Sequence, residues 1–295
     1  MKKTLLLILI SIFSFMFFFA CSDVKENIPV VESNGVHAEG IKNPNSPNFH
    51  GKLIQDNNWD LKECQSCHAA NYAGGIAEAT CLTCHNEPSG PEACNTCHGD
   101  FSNPDRIAPP ADLVGNTSTT AKGVGAHDVH LYTNSIGQVI GCFECHERAT
   151  VPAGQNFASA HINGLPAEMK FGNFANLNGG AEYDYDGLKC NNTYCHGNFE
   201  FKRSESTSQF AYTDSVMVGN NYSPIWNKVD GTQAACGTCH GQYDASNNLV
   251  SVAPVGHTPF PLNSCANCHP GVVDASGNII DKLKHINGEK NVFGN

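Results

Sequence analysis

The chain is short of positive charge. Its 295 residues carry 17 Lys and Arg against 28 Asp and Glu, for a formal net charge of −11. Nucleic-acid binding draws on Lys and Arg contacts to phosphate, so this balance argues against it. The same acidity allows steering toward basic partner patches or cations, and solubility alone is the plain alternative. After the first twenty residues there is no long apolar run, which excludes a later membrane-spanning helix. Methionine is scarce, and Met169 and Met217 are the two that lie beyond the N-terminal apolar stretch. Almost no cysteine is left over once the repeated motif below is counted.

That motif is C-x-x-C-H. It stands at Cys64-Cys67-His68, Cys81-Cys84-His85, Cys94-Cys97-His98, Cys142-Cys145-His146, Cys236-Cys239-His240 and Cys265-Cys268-His269. A stretched form, C-x4-C-H, stands at Cys190-Asn191-Asn192-Thr193-Tyr194-Cys195-His196. Together they use fourteen of fifteen cysteines. The spacing is that of c-type haem attachment, in which two thiols add to the two vinyl groups of one haem. The adjacent His is delivered to the iron as proximal ligand. Zinc held by paired C-x-x-C groups and a disulfide framework are the alternatives. Neither requires His directly after the second Cys, and the reading is therefore seven covalently attached c-type haems.

The histidine count is an independent line. Of fourteen histidines, seven follow motif cysteines. His37, His50, His127, His130, His161, His257 and His285 remain, one per haem, as expected if every iron has two His ligands. His37 and His50 precede the first two sites and are assigned there. An internal repeat bears on the others. Ala93-Cys94-Asn95-Thr96-Cys97-His98-Gly99 matches Ala235-Cys236-Gly237-Thr238-Cys239-His240-Gly241, and Val124-Gly125-Ala126-His127 resembles Val255-Gly256-His257. Cys142 to His146 corresponds to Cys265 to His269, and His161-Ile162-Asn163-Gly164 to His285-Ile286-Asn287-Gly288. Each unit brings two haem sites and two further histidines. His130 is then left for the site at His196, with a plain surface role as the alternative. His127 and His130 are three apart and share a face if that segment is helical.

The expected organisation follows. Residues 1–20 read as a signal peptide, with Met1-Lys2-Lys3 before an apolar run that ends at Ala20. Cys21 follows as in a lipobox, so a lipidated Cys21 and a tether over 21–36 are expected. Plain cleavage or an uncleaved anchor are the alternatives. An N-terminal part (37–92) carries haems 1 and 2, a first repeat unit (93–170) haems 3 and 4, a linker region (171–234) haem 5, and a second repeat unit (235–295) haems 6 and 7. The remaining chain is about 39 residues per haem, too little for an ordinary apolar core. The porphyrins must supply much of it. With 28 Gly and 15 Pro throughout, the expected fold is a multihaem cytochrome c: mostly loops and short α-helices wrapped around a haem array, with little β-structure. The helices are expected mainly at the C-x-x-C-H sites. A β-hairpin or surface loop is expected over 199–223. Tyr183-Asp184-Tyr185-Asp186 reads as a solvated loop, with calcium binding as the lesser alternative.

The stretch Asn191-Asn192-Thr193-Tyr194-Cys195-His196-Gly197, then Pro224-Ile225-Trp226, then Cys236-Gly237-Thr238-Cys239-His240-Gly241 resembles the C-x4-C-H / C-x2-C-H multihaem cytochromes abundant in Geobacter-like bacteria. Ala108-Pro109-Pro110 and Gly123 to His127 fit as well, and the resemblance extends over most of 49–288. It implies an exported protein of periplasmic or extracellular electron transfer. The expected function is a heptahaem lipoprotein of the outer membrane. It passes electrons between redox proteins or extracellular acceptors, with no catalytic residue. Two rivals are a multihaem reductase with one open haem and a subunit of a cytochrome filament. The chain has no C-x-x-C-K, and a lipidated Cys21 argues against release into a filament.

Overall fold

The computed structural model describes residues 36–99, 103, 105–112, 114–148, 150, 160–161 and 166–294. The expected signal peptide, the lipidated Cys21 and the tether up to Gly35 lie outside them. So do Ile162-Asn163-Gly164 of the first repeat unit.

Regular structure is sparse and short. Helices whose bounds lie within the described residues are α1 (His50–Asp56), α2 (Lys62–His68), α3 (Cys94–His98), α4 (His127–Leu131) and α5 (Cys265–Cys268). Three antiparallel ladders accompany them: β1 (Glu182–Asp184) with β2 (Lys189–Asn191), β3 (Glu200–Lys202) with β4 (Val216–Val218), and β5 (Gln242–Tyr243) with β6 (Leu249–Ser251). The chain divides into two units, Met1–Asp60 and Leu61–Asn295. The first holds α1 and the second everything from α2 onward.

The loops are ordered by their own side chains. Asp112, Asp244 and Asp274 each accept backbone N–H groups two and four residues ahead through Oδ1. An Asn at the fourth position returns its amide to the carboxylate. This closes a turn without a flanking helix or long strand. One such turn joins β5 to β6. The other near-identical run, Asp274-Ala275-Ser276-Gly277-Asn278, is flanked by a bridge between Val273 and Ile279.

The apolar core is thin. Among the described residues the buried apolar side chains are mainly small ones and a few aromatics, such as Ala108, Ala126, Ala175, Tyr72 and Tyr212. Thr193 alone is buried to 2 % exposure. Large apolar side chains stand exposed instead, including Phe143, Phe210, Phe260, Leu283 and Phe293. A chain that buried its hydrophobic surface only against itself would not leave these in water.

The expectation of helices at the C-x-x-C-H sites holds in part. The sites at Cys64, Cys94 and Cys265 lie on α2, α3 and α5. Those at Cys142 and Cys195 use single 3-10 turns, and those at Cys81 and Cys236 use turns alone. At Cys236 the reason is local: Gly237 has φ +90, a left-handed residue that ends any helix there. Residues 199–223 contain the hairpin of β3 and β4, joined by two 3-10 turns.

Candidate functional site

A one-turn helix puts residues i and i+3 on one face, which is how α3 presents Cys94 and Cys97 together with His98 next to them. The stretched site reaches a related arrangement by another route. Cys190 sits on β2, Asn192 reverses the chain at φ +53, and Tyr194–His196 form a 3-10 turn that carries Cys195. The fourteen motif cysteines are free thiols, so no disulfide framework exists among them. Burial pushes the Cys145 and Cys195 thiols up to about 12 and those of Cys190 and Cys239 to about 11. Burial disfavours the thiolate form at these four positions. Among the described residues no three His, Cys, Asp or Glu side chains gather as a metal cluster.

Eight of the histidines meet in four pairs. His127 faces His146 and His130 faces His196, each with ring centroids 6.2 Å apart. His240 faces His285 at the same 6.2 Å. His98 and His161 approach more closely, with centroids at 5.6 Å and Nε2 atoms at 3.4 Å. A metal shared by two imidazoles sits about 2 Å from each nitrogen, with the ring centre about 1 Å further back, so its ligands have centroids about 6 Å apart. The first three pairs have that separation.

The far side of most of the rings is anchored. Through Nδ1, His127 donates to Val124 O at 2.8 Å, His130 to Ala126 O at 2.8 Å and His146 to Glu168 O at 3.3 Å. His68, His240, His257 and His269 bond Ala79 O, Val252 O, Thr258 O and Asn291 O at 2.6–2.8 Å. His285 bonds Ile136 O, far back in the chain. In the N-terminal unit His50 bonds Ile41 O at 2.9 Å. A proton fixed on Nδ1 leaves Nε2 as the free lone pair, the tautomer a metal ligand needs. His196 differs, because its Nδ1 meets the Thr193 hydroxyl at 2.7 Å. Exposed apolar surface, paired thiols and facing imidazoles fit a haem.

The pairs adjoin one another. His127 and His130 lie on α4, so one five-residue helix reaches both His146 and His196. Crowding by the chain, then the charges of His161 and His146, hold the pKa of His98 below its usual range, although one edge of its ring is open. Burial, then the proximity of Glu144 and Cys239, acts on Cys195, while Cys190 and Cys195 act on Cys145. Asn220 N–H donates to Cys239 O and Tyr222 N–H to His196 O, so residues 220–222 tie the two motifs together. His269 and His257 in turn act on His240, after burial. His37 belongs to the N-terminal unit with His50. His85 lies beyond α2 on a half-exposed turn.

Trp226, which entered the sequence reading only as part of the Pro-Ile-Trp run, is a site residue. Its ring meets His127 edge-on at 4.7 Å and stacks on His130 at 6.0 Å. Its indole N–H donates to Lys122 O at 2.8 Å. Cys190 N–H donates to Pro224 O, and Trp226 N–H to Leu188 O, so the segment before Trp226 lies along β2. Gly125 makes room, since a Cβ there would stand 2.0 Å from the indole nitrogen. Only the Pro-Ile-Trp run hinted at this. Replacing Trp226 by Leu should cost about 2 kcal/mol in lost ring contacts and one hydrogen bond. It should alter two low-spin species in the ferric EPR spectrum, while an unrelated surface change alters none.

Residues 189–240 match the family model described as the Geobacter CxxxxCH...CXXCH motif. The match spans the stretched site, the Pro-Ile-Trp segment and the Cys236 site, a narrower span than the 49–288 of the resemblance. The Geobacter CxxxxCH...CXXCH motif marks covalent c-type haem and a multihaem c-type cytochrome in electron transfer. No curated protein and no solved structure matches the chain.

Burial acts on the histidines of this motif and its neighbour. It lowers the pKa of His196 to about 3, helped by His130, and that of His127 to about 4. A lowered His pKa means that the unfolded chain binds the proton first. Stability from these sites is complete above about pH 6.5 and is lost as pH falls through the lower values.

Proposed function

We propose that the protein is a heptahaem electron conduit whose irons each take two histidines. The observation that carries this reading is α4, which turns His127 to His146 and His130 to His196 from one helical turn. His98 with His161 and His240 with His285 are the same pairing in two copies of the repeat. The repeat then assigns His257 to His269, as His127 goes to His146. His37 and His50 are left for His68 and His85.

Bound haem supplies one-electron exchange between ferric and ferrous iron. The chain's residues do the rest. The paired cysteines would hold each group covalently. Two facing histidines would ligate each iron and keep substrate from it. Backbone carbonyls on Nδ1 fix ring orientation and raise ligand basicity. The adjacency of the motifs supports a row in chain order from haem 3 to haem 7, with haems 4 and 5 joined through α4.

Cys21 anchors the protein to the outer membrane as a lipoprotein, on the periplasmic or cell-surface side. Its partners are redox proteins or extracellular acceptors, reached through an acidic surface. The N-terminal charge, apolar run and Ala20-Cys21 junction support this.

The test is the mass and ferric spectrum of protein matured with haem-attachment machinery. Seven covalent haems without a high-spin band are expected. Fewer haems overturn the count. A high-spin fraction of about one-seventh, perturbed by cyanide, means an open iron and favours a reductase.

A further inference from the structure

Among the anchored histidines of the described residues, His196 is held by a side chain. Its proximal counterparts His68, His146, His240 and His269 bond carbonyls that lie 11 to 22 residues downstream. His196 finds its partner inside its own motif, three residues back. Thr193 precedes the 3-10 turn Tyr194–His196, where a Thr hydroxyl ordinarily caps backbone N–H groups. No such cap is made here. The hydroxyl meets the ring at 2.7 Å instead, from the most buried side chain of the described residues.

The two additional residues of C-x4-C-H make this possible. In a C-x-x-C-H helix the residue three before the His directly follows the first Cys. Here β2 ends at Asn191, Asn192 reverses the backbone at φ +53, and Thr193 starts afresh in extended conformation at ψ 135.

We infer that Thr193 is a positioning residue for the proximal ligand of haem 5, and that its hydroxyl sets that haem's reduction potential apart from the others. With Nε2 committed to a metal, Nδ1–H donates and Oγ1 accepts. A hydroxyl oxygen is a weaker acceptor than an amide carbonyl, so His196 is the less basic ligand. A less basic axial ligand stabilises ferric iron less, and the potential lies higher than a carbonyl-anchored site of like burial.

This rests on the seven-haem reading, and the experiment separates the two. Thr193→Val keeps the shape and removes the hydroxyl; Thr193→Ser keeps the hydroxyl and removes the methyl. Peptide mass first establishes haem on Cys190 and Cys195 in the parent; its absence there sinks the heptahaem reading itself. Spectroelectrochemical titration of the full holoprotein is then compared across the three. One of seven redox steps should move to higher potential in Thr193→Val, with the other six fixed and Thr193→Ser at the parent position. Loss of haem 5 in Thr193→Val alone also supports the hydroxyl. A Thr193→Val titration that superimposes on the parent, or loss or shift of haem 5 in Thr193→Ser, assigns Thr193 to packing and overturns the inference.

Discussion

Replacing His130 by alanine should turn about one-seventh of the ferric haem from low to high spin. The affected site is the one at His196, whose ring faces His130 at 6.2 Å. His130 projects from α4 with its Nδ1 on Ala126 O, and Trp226 stacks on its other side. Every other histidine paired above already faces a different partner, so no second imidazole stands ready to replace it. Haem should remain attached, because Cys190 and Cys195 are untouched. The new open position should bind cyanide or carbon monoxide with a stoichiometry of one per protein. Electron passage between haems 4 and 6 should slow, since the haem joining them changes its ligation on each redox cycle. An all-low-spin spectrum in the variant would remove His130 from the ligand set and return it to a surface role.

Gly197→Ala should cost the most stability of any small change near the stretched motif. Gly197 has φ +96, where an L side chain is strained by about 1–2 kcal/mol. A Cβ would also stand 2.1 Å from Cys239 O. That atom is backbone, in the next haem motif, and it already accepts Asn220 N–H. Relief requires the motifs of haems 5 and 6 to move apart. Gly219, which packs on Gly197 O, leaves no slack on the other side. Gly231→Ala is the control, with φ +81 and open space around its Cβ. It should carry the backbone strain alone. The expected result is a distinctly lower thermal midpoint, or a lower yield of mature protein, for Gly197→Ala than for Gly231→Ala. Equal midpoints would mean that the two motifs are not pressed together.

How much of this could be read from the residues differs by feature. The cysteine motifs are local and chemically specific, and the motif family was legible from one segment. The abundance of Gly, Pro and Asn announced short elements, and the hairpin within 199–223 followed from its flanking turns. Three apart in sequence, His127 and His130 do share a helical turn. What was hidden depends on backbone atoms or long reach. The carbonyls that hold the Nδ1 atoms belong to any residue type, so no sequence pattern marks Val252 or Asn291. His285 rests on Ile136 across 149 residues. Helices do fall mainly at C-x-x-C-H sites, but which sites lack one was hidden, as where Gly237 at φ +90 breaks the turn at Cys236. Thr193 looked like filler inside a stretched motif, though its burial was the one exceptional value.

The long reach between His285 and Ile136 has a bearing on the order of assembly. A chain emerges from its N-terminus. On the proposed ligation, His127 and His130 are made before their cysteine motifs. The sites at His98 and His240 must instead wait for His161 and His285, and His285 closes onto a loop made long before it. On that same ligation, a polypeptide halted before position 285 would leave His240 without its facing imidazole, an opening that peroxide or carbon monoxide would find at once.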